Sequence, residues 1–520
     1  RRTTICRRSC GKASHGPEAI GSSLNSQKTV NLEMDNARLQ ELWNGKPGFS
    51  HWRVLAALVL LGFTVRVLVM DSTSLWFDET VTANAAISFL ENGVPNLPSG
   101  WEYWRAFPYT LLTSVSVAVF GVSDFALRLP AAVIGSLTIP LTYFAGRELF
   151  SGKTGLVAAA FITFSAWEVV WSTQARMYIL LQFLYLLSIL LIYRTGEELS
   201  WKNITALTAA ILLAVFTHVT AYILPFIAVL YIVYRSRDSL DRRLLSLLLL
   251  PVSAAVIGQV FYYGYPGLVD RLVFSPGNFP RYLGWMALNA AVVAFLGFTG
   301  LILNIREDFD TALLMGLAAF PAFYVYSFHV DGFATRYIYF LVPFLALWAG
   351  VSVEKLAAHL FPRHLTERQA LTALTVSLLL FSTGLGYAAG QDAYRPIEDH
   401  ASAYDYVESR STPGDVLITQ WTSPAVYYYR PPDYSLFGQR FNASDYSFEG
   451  REAYSGASFI EGEEELEKVI RENDRGWLVL QDSAYGTKPS GMQDLISSLY
   501  LEASYPGIRV WSWNESYPTN

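Results

Sequence analysis

The 520-residue sequence holds two cysteines, Cys6 and Cys10, and none after them. Everything beyond the tenth residue must therefore fold and function without a disulfide, a thiolate nucleophile or a thiolate metal site. Charge is scarce as well: Asp, Glu, Lys and Arg make up 16% of the chain, against about 25% in ordinary soluble domains. The net charge is only -6, and no basic patch interleaved with aromatics marks a nucleic-acid partner. What fills the space is apolar. With 52% hydrophobic residues, a soluble fold of this size is not expected and a membrane protein is.

Residues 1–50 read as a disordered or cytoplasmic N-terminal segment. The stretch from Arg1 to Glu33 is polar and begins without methionine, so Met34 is read as the start and the preceding run as an extension outside the fold.

From Trp52 to Met70 the chain is long and apolar enough to cross a bilayer, with Arg66 near the far end as an intramembrane charge. Further segments of this kind run roughly 128–150, 155–171, 177–193, 202–216, 221–234, 244–263, 282–304, 312–329, 337–356 and 371–389. Their connecting loops alternate in charge. Lys153, Arg194, Lys202, Arg235, Arg237, Arg242, Arg243, Arg306, Arg363 and Arg368 fall in alternate loops, which the positive-inside rule makes cytoplasmic. The stretch Trp101–Phe120 looks spanning but carries Glu102, Arg105 and Pro108, and charge bookkeeping requires it to lie in the interface. The expectation is a helical polytopic domain over residues 51–389, with about eleven spanning helices and interfacial helices in a first outer loop, 71–127.

The outer side then gathers ionisable groups of both signs: Asp78 and Glu79 in Trp76-Phe77-Asp78-Glu79, the turn Ser172–Tyr178, His218, and Arg336. A carboxylate at such a depth loses solvation and becomes a candidate base or metal ligand. Residues 390–520 have about twice as many acids as bases and form a separate extracytoplasmic portion. A helix near Ala401–Arg410, a strand Val416–Thr419, a helix Glu463–Asn473 and strands Trp477–Gln481 and Ile508–Trp513 suggest a small α/β unit. The acidic run Glu461–Glu467 reads as a solvated helix face. The triplets Asn442-Ala443-Ser444 and Asn514-Glu515-Ser516 are glycosylation-type sequons that agree with an outer location.

Several short motifs keep a common order: Trp76-Phe77-Asp78-Glu79, Phe120-Gly121-Val122-Ser123, Arg128-Leu129-Pro130, Gly146-Arg147-Glu148-Leu149-Phe150, Gln174-Ala175-Arg176-Met177-Tyr178, then Arg336-Tyr337 ahead of Pro343. In that order the chain resembles the GT-C membrane glycosyltransferases, in the branch of the protein O-mannosyltransferases and lipid A aminoarabinose transferases, over about Val54–Gly350. The resemblance implies transfer of a sugar from a polyprenyl- or dolichyl-phosphate carrier to a protein, glycan or lipid acceptor on the outer face. It makes Asp78 the catalytic base or acceptor anchor, with Glu79 beside it, and Asp78 the metal ligand if a divalent ion takes part; no other cofactor is implied. An attacking hydroxyl needs a carboxylate within hydrogen-bond reach to take its proton. A departing lipid phosphate gains charge and suits guanidinium forks, for which Arg336 and Arg176 are the candidates, with Tyr337 beside the first. Gln174, Tyr178, His218 and Glu168 are candidate substrate contacts, and interfacial aromatics such as Tyr178 and Tyr337 also suit a membrane belt. Relatives often carry a carboxylate where this chain has Gln174, which puts a second acid or a paired-carboxylate metal site in doubt. A transporter or flippase of lipid-linked sugars, or a noncatalytic surface protein, are the rival readings; the first calls for inverted repeats, and none is evident.

Overall fold

The structure, a computed structural model, describes residues 49–70, 73–236, 242–263, 274, 276–330, 332–360, 398–437 and 446–514, with a few positions between 372 and 379. The N-terminal segment with both cysteines, most of the expected span 371–389, the boundary at 389 and the sequon at Asn442 lie outside these residues.

Among the described residues the membrane part is mostly helical. α1 (Phe49–Met70), α2 (Phe77–Asn92) and α3 (Phe107–Phe120) are followed by α4 (Asp124–Leu149), α5 (Gly152–Phe164) and α6 (Ala166–Trp171). α7 (Tyr178–Glu197), α8 (Trp201–Thr217), α9 (Leu224–Ser236) and α10 (Arg242–Tyr263) continue the bundle, then α11 (Asn278–Asn289), α12 (Ala291–Glu307), α13 (Phe309–Phe328) and α14 (Val342–Leu360). By length and composition, five described helices can cross a membrane alone, six if α11 and α12 are one bent span. These helices pack through one apolar core that includes Tyr185, Ile189, Ile211, Ala214, Phe340, Phe344 and Leu347.

Three expected segments come out differently. The segment 155–171 is broken at Ser165, whose extended backbone (φ -62°, ψ 125°) ends α5 and restarts the chain as α6. The segment 282–304 is split at Ala290, where α11 and α12 meet at 111°. The stretch Trp101–Phe120 is helical only from Phe107, because Pro108 sits in the first helical turn and the residues before it pair elsewhere, with Asn96 bridging Glu102. Apolar composition registers depth in the bilayer but not a local change of φ and ψ, so such breaks escape a hydropathy reading.

The C-terminal part is a six-stranded sheet in the order β5-β2-β1-β6-β8-β7, comprising β1 (Val416–Thr419), β2 (Tyr434–Leu436), β5 (Ser458–Ile460), β6 (Gly476–Gln481), β7 (Tyr500–Tyr505) and β8 (Ile508–Trp513). A small antiparallel pair, β3 (Ser447–Phe448) and β4 (Arg451–Glu452), stands apart from it. β5, β2, β1 and β6 run parallel, while β8 and β7 extend the sheet antiparallel. The central strands β1 and β6 are buried along their whole length, as a parallel sheet covered on both faces requires. The covering helices are α15 (His400–Glu408), α16 (Thr422–Tyr428), α17 (Glu463–Glu472), the single turn α18 (Asp482–Tyr485) and α19 (Ser490–Ser498). On one face α15 supplies Ala403, Tyr404 and Val407 to a cluster with Leu417, Trp477 and Val510. On the other, α17 and α19 supply Leu466, Ile470, Met492 and Ile496. Glu463, Glu464 and Glu465 are exposed on α17, in keeping with a solvated face. The small α/β unit is as expected; α16 is an addition, and it packs on α2.

Candidate active site

Asp78 and Glu79 are the second and third residues of α2. Neighbours on a helix point about 100° apart, and the two carboxylates separate accordingly. Glu79 turns inward and is fully buried. Its Oε1 accepts hydrogen bonds from Arg128 Nε at 2.8 Å and the Ala175 N–H at 2.6 Å. Its Oε2 accepts from Arg128 Nη2 at 2.6 Å and the Trp76 N–H at 3.3 Å. Both oxygens are thus occupied by donors from three segments. Arg128, itself buried, also donates to the carbonyl oxygens of Met70, Thr73 and Ser74 at 2.6, 2.6 and 3.0 Å. One ion pair therefore ties the end of α1, the start of α2, the second turn of α4 and the turn after α6.

Asp78 turns the other way and keeps 23% of its side chain exposed. Its Oδ2 stands 3.7 Å from Arg176 Nη2. That is a charge contact rather than a hydrogen bond, so the carboxylate retains accepting capacity. Arg176 is held by other atoms: Nη1 donates to the Asp78 carbonyl at 2.8 Å and to Thr82 Oγ1 at 2.9 Å. Burial alone would lower the pKa of Arg176, but Asp78, Tyr103 and Tyr178 outweigh it and leave it above its ordinary value. The guanidinium is a permanent cation, and its Nε is buried without a partner among the described residues.

Arg336 is the second residue of the 3₁₀ segment Thr335–Leu341 that leads into α14. Its guanidinium lies 5.6 Å from the ring centroid of Trp76 and 5.3 Å from that of Tyr337, within cation–π range. Its Nε is likewise buried and unpartnered among the described residues. The Asp78 charge acts on both Arg176 and Arg336. Tyr337 stacks on Tyr326 at 5.3 Å and 15°.

His218 caps the 3₁₀ turn Val219–Ile223 through its ring: the Thr220 N–H donates to Nδ1 at 3.2 Å, and Thr220 Oγ1 stands 2.8 Å from the same nitrogen. An accepting Nδ1 places the ring proton on Nε2. Burial, then the charges of Arg105, Arg176 and Arg336, lower its pKa to about 3, so the ring is neutral at any ordinary pH. Tyr178 packs on this ring at 5.6 Å and lies 5.8 Å from Arg176.

The remaining candidates play quieter parts. Gln174 is buried; its Oε1 accepts from Trp76 Nε1 at 3.1 Å, and the Tyr109 hydroxyl reaches its carbonyl at 3.5 Å. Burial and then Glu79 raise the Tyr109 pKa, so this phenol stays protonated. Glu168 lies deeper, fully buried 3.9 Å from Arg66, and accepts from Gln182 Nε2 at 3.1 Å. Arg66 is turned inward, donating to Ser172 Oγ at 2.7 Å and to the Gly62 and Ile162 carbonyls. Gly135 lets this turn approach: a side chain there would overlap Ser172 and Arg66. Among the described residues no cluster of three or more His, Cys, Asp or Glu side chains could hold a metal ion. Around Asp78 the neighbours are guanidinium groups, which do not fit a divalent cation.

In the sequence Arg128 stands out only as part of a motif. The signal available was its place one turn into an apolar helix, where an arginine must find a carboxylate. An apolar groove of about 570 Å³ is walled by Met286 of α11, Phe295 and Phe298 of α12, Phe320 of α13, and Phe344 and Trp348 of α14. The bend between α11 and α12 forms one side of it.

Residues 106–263 match the model of the family described as dolichyl-phosphate-mannose-protein mannosyltransferase. No curated protein matches the chain in sequence. Among solved structures, the chain is similar to ArnT from Cupriavidus metallidurans in the apo state, with 15% identity, 89% of this chain and 98% of that one covered, and a TM-score of 0.61. It is similar to the same protein bound to undecaprenyl phosphate, with 17% identity, coverage of 91% and 100%, and a TM-score of 0.61. It is also similar to the archaeal oligosaccharyltransferase AglB from Archaeoglobus fulgidus in complex with an inhibitory peptide and a dolichol-phosphate, with 14% identity, coverage of 91% and 75%, and a TM-score of 0.58. The chain therefore has the fold of the GT-C membrane glycosyltransferases, and over residues 106–263 it matches the protein-mannosyltransferase family, whose branch it resembles.

Proposed function

We propose that this chain transfers a sugar from a polyprenyl- or dolichyl-phosphate carrier to an acceptor hydroxyl at the outer face of a membrane. The observation that carries the reading is the pairing of Asp78, an open carboxylate, with two cations whose Nε–H groups lack partners among the described residues, Arg176 and Arg336. Arg336 begins the same stretch of chain whose continuation, Phe344 to Trp348, walls the apolar groove. A carrier lipid lying in the groove would present its phosphate to Arg336 and Arg176. The acceptor oxygen then attacks the anomeric carbon while Asp78 takes its proton. The bond from that carbon to the phosphate oxygen breaks, and the electron pair leaves with the lipid phosphate, whose new charge the guanidinium groups stabilise. His218, neutral and carrying its proton on Nε2, can donate to a sugar or phosphate oxygen without adding charge. Tyr337, Tyr178 and Gln174 shape the surroundings, and Glu79 positions the acid's helix.

The topology that suits this chemistry has about eleven spans, residues 51–389 as the catalytic domain and an extracytoplasmic domain over 390–520. In support, α3 has 14 residues and is about 21 Å long at 1.5 Å per residue. That is short of the roughly 30 Å hydrocarbon core, which suits an interfacial helix. The undecaprenyl and dolichol phosphates named with the structural relatives are ligands of the same chemical class. The transporter reading gains no support from these comparisons.

The test is transfer of radiolabelled sugar from polyprenyl phosphates by reconstituted wild type and Asp78→Asn. A loss of about 10²- to 10⁴-fold in the variant is expected for a missing base. Unchanged transfer would remove Asp78 from the mechanism.

A further inference from the structure

The segment carrying Asp78 is gripped from two sides. On the membrane side it is held by Arg128, Ala175 and Arg176, as described. On the other side it meets the C-terminal domain residue by residue. Ser74 Oγ donates to the Glu398 carbonyl at 2.8 Å and accepts from the His400 N–H at 2.9 Å. Thr80 Oγ1 shares a hydrogen bond with Ser423 Oγ at 3.0 Å, and Asn84 Nδ2 donates to the carbonyl and hydroxyl of the same serine at 3.2 and 3.1 Å. Phe77, the residue before the acid, packs its ring against Trp421 at 4.6 Å and Tyr454 at 5.0 Å.

The most telling of these contacts is made by Tyr428, on α16. Its hydroxyl accepts a hydrogen bond from the Leu75 N–H at 2.7 Å and donates its own proton to Asp124 Oδ2 at 2.7 Å. Tyr427 donates to the other carboxylate oxygen at 3.1 Å. Leu75 is fully buried three residues before Asp78, in a cluster with Ala83, Val117, Leu127 and Ala175 against which both tyrosines pack. Asp124 lies one turn before Arg128 on the same face of α4. The first two turns of α4 thus reach the C-terminal domain with Asp124 and the Glu79 carboxylate with Arg128.

We propose that Tyr428 of the C-terminal domain, with Asp124, is a positioning residue for the catalytic base: it fixes the backbone ahead of α2 so that Asp78 faces Arg176 and Arg336. The proposal rests on the assignment of Asp78 as the base. A buried N–H that loses its acceptor costs free energy, and the backbone at Leu75 relieves that cost by shifting, which carries Asp78 with it. Arg176 holds the same segment through the Asp78 carbonyl and Thr82, and Arg336 lies over the Trp76 ring, so the shift changes the alignment of the acid with both guanidinium groups.

The experiment uses the full-length protein in nanodiscs and compares Tyr428→Phe with Tyr404→Phe. Tyr404 is a buried tyrosine of the same domain whose hydroxyl meets only Thr419 among the described residues, at 3.3 Å. Hydrogen–deuterium exchange should speed up in the peptide covering residues 73–81 for Tyr428→Phe and not for Tyr404→Phe. In the transfer assay, kcat should fall about tenfold to a hundredfold in Tyr428→Phe, the scale of an ångström-sized misplacement, and stay near the wild-type value in Tyr404→Phe. Wild-type exchange over residues 73–81 in Tyr428→Phe, or an equal loss of kcat in Tyr404→Phe, would overturn the proposal. If the wild type transfers no sugar from any donor, the assigned activity fails, while the exchange comparison still decides whether Tyr428 fixes this segment.

Discussion

The pair Glu79–Arg128 allows a sharp energetic test. Glu79 is wholly buried and Arg128 nearly so, and four donors converge on the two carboxylate oxygens. Glu79→Gln keeps the shape but removes the charge and replaces one acceptor with an N–H₂ donor, facing either the Ala175 N–H or Arg128. Removing one partner of a buried pair costs about 3–5 kcal/mol because the other charge is left uncompensated. Here three carbonyl oxygens still accept from Arg128, which places the expectation at the lower end, about 3 kcal/mol. Arg128→Gln should cost a similar amount by leaving the carboxylate buried. The double variant, in which no net charge remains, should be less destabilised than the sum of the two by about 2 kcal/mol. Reversible denaturant unfolding in detergent, run on all four proteins, measures the coupling. A cost below about 1 kcal/mol for Glu79→Gln, the value of an exposed ion pair, or additivity of the two changes would refute the picture of a buried clasp.

Two further outcomes follow from the same geometry. Arg336→Gln should weaken binding of polyprenyl phosphate by about 1.5–3 kcal/mol, the worth of a charged hydrogen bond. Arg336→Lys should restore it only in part, since an ammonium lacks the fork and its planar packing on Trp76 and Tyr337; equilibrium binding of a fluorescent lipid phosphate reads both. His218 has its pKa lowered to about 3, below the unfolded value near 6.5. Between those values the unfolded chain binds more protons, so the histidine's contribution to stability is complete above pH 6.5 and declines as pH falls toward 3. His218→Gln should flatten the stability–pH curve in that window and leave the shape of the transfer–pH profile between pH 6.5 and 9 unchanged. Loss, in the variant, of a limb that the wild-type profile shows in that range would mean that the ring titrates during turnover.

Much of this architecture could be read from the chain because hydropathy reports the bilayer directly. The helices Phe49–Met70 and Tyr178–Glu197 fall within a few residues of the apolar segments, and strand Val416–Thr419 falls on the expected residues. What escaped was local. Ser165 and Ala290 break helices without any change in polarity around them. The strands Tyr434–Leu436 and Ser458–Ile460 have three residues each, too few to show alternation. At the site, composition could gather Asp78, Arg176, His218 and Arg336 on one face of the membrane. It could not tell which of two adjacent acids looks outward, since that depends on how the helix is rotated by its partners. Arg128 decides it by claiming Glu79. The tyrosine pair at 427–428 carried no signal in the sequence, because its meaning comes from a contact about three hundred residues away.

The abrupt turn at Ala290 has a bearing on what the protein can accept. A tunnel closed all round would measure the length of its occupant, whereas under the proposed function a trough bounded by the bent pair α11–α12 with α13 and α14 would leave the far end of an isoprenoid free to run out among the lipids. Only the isoprene units nearest the phosphate would then be sensed, and carriers differing greatly in overall size would serve alike.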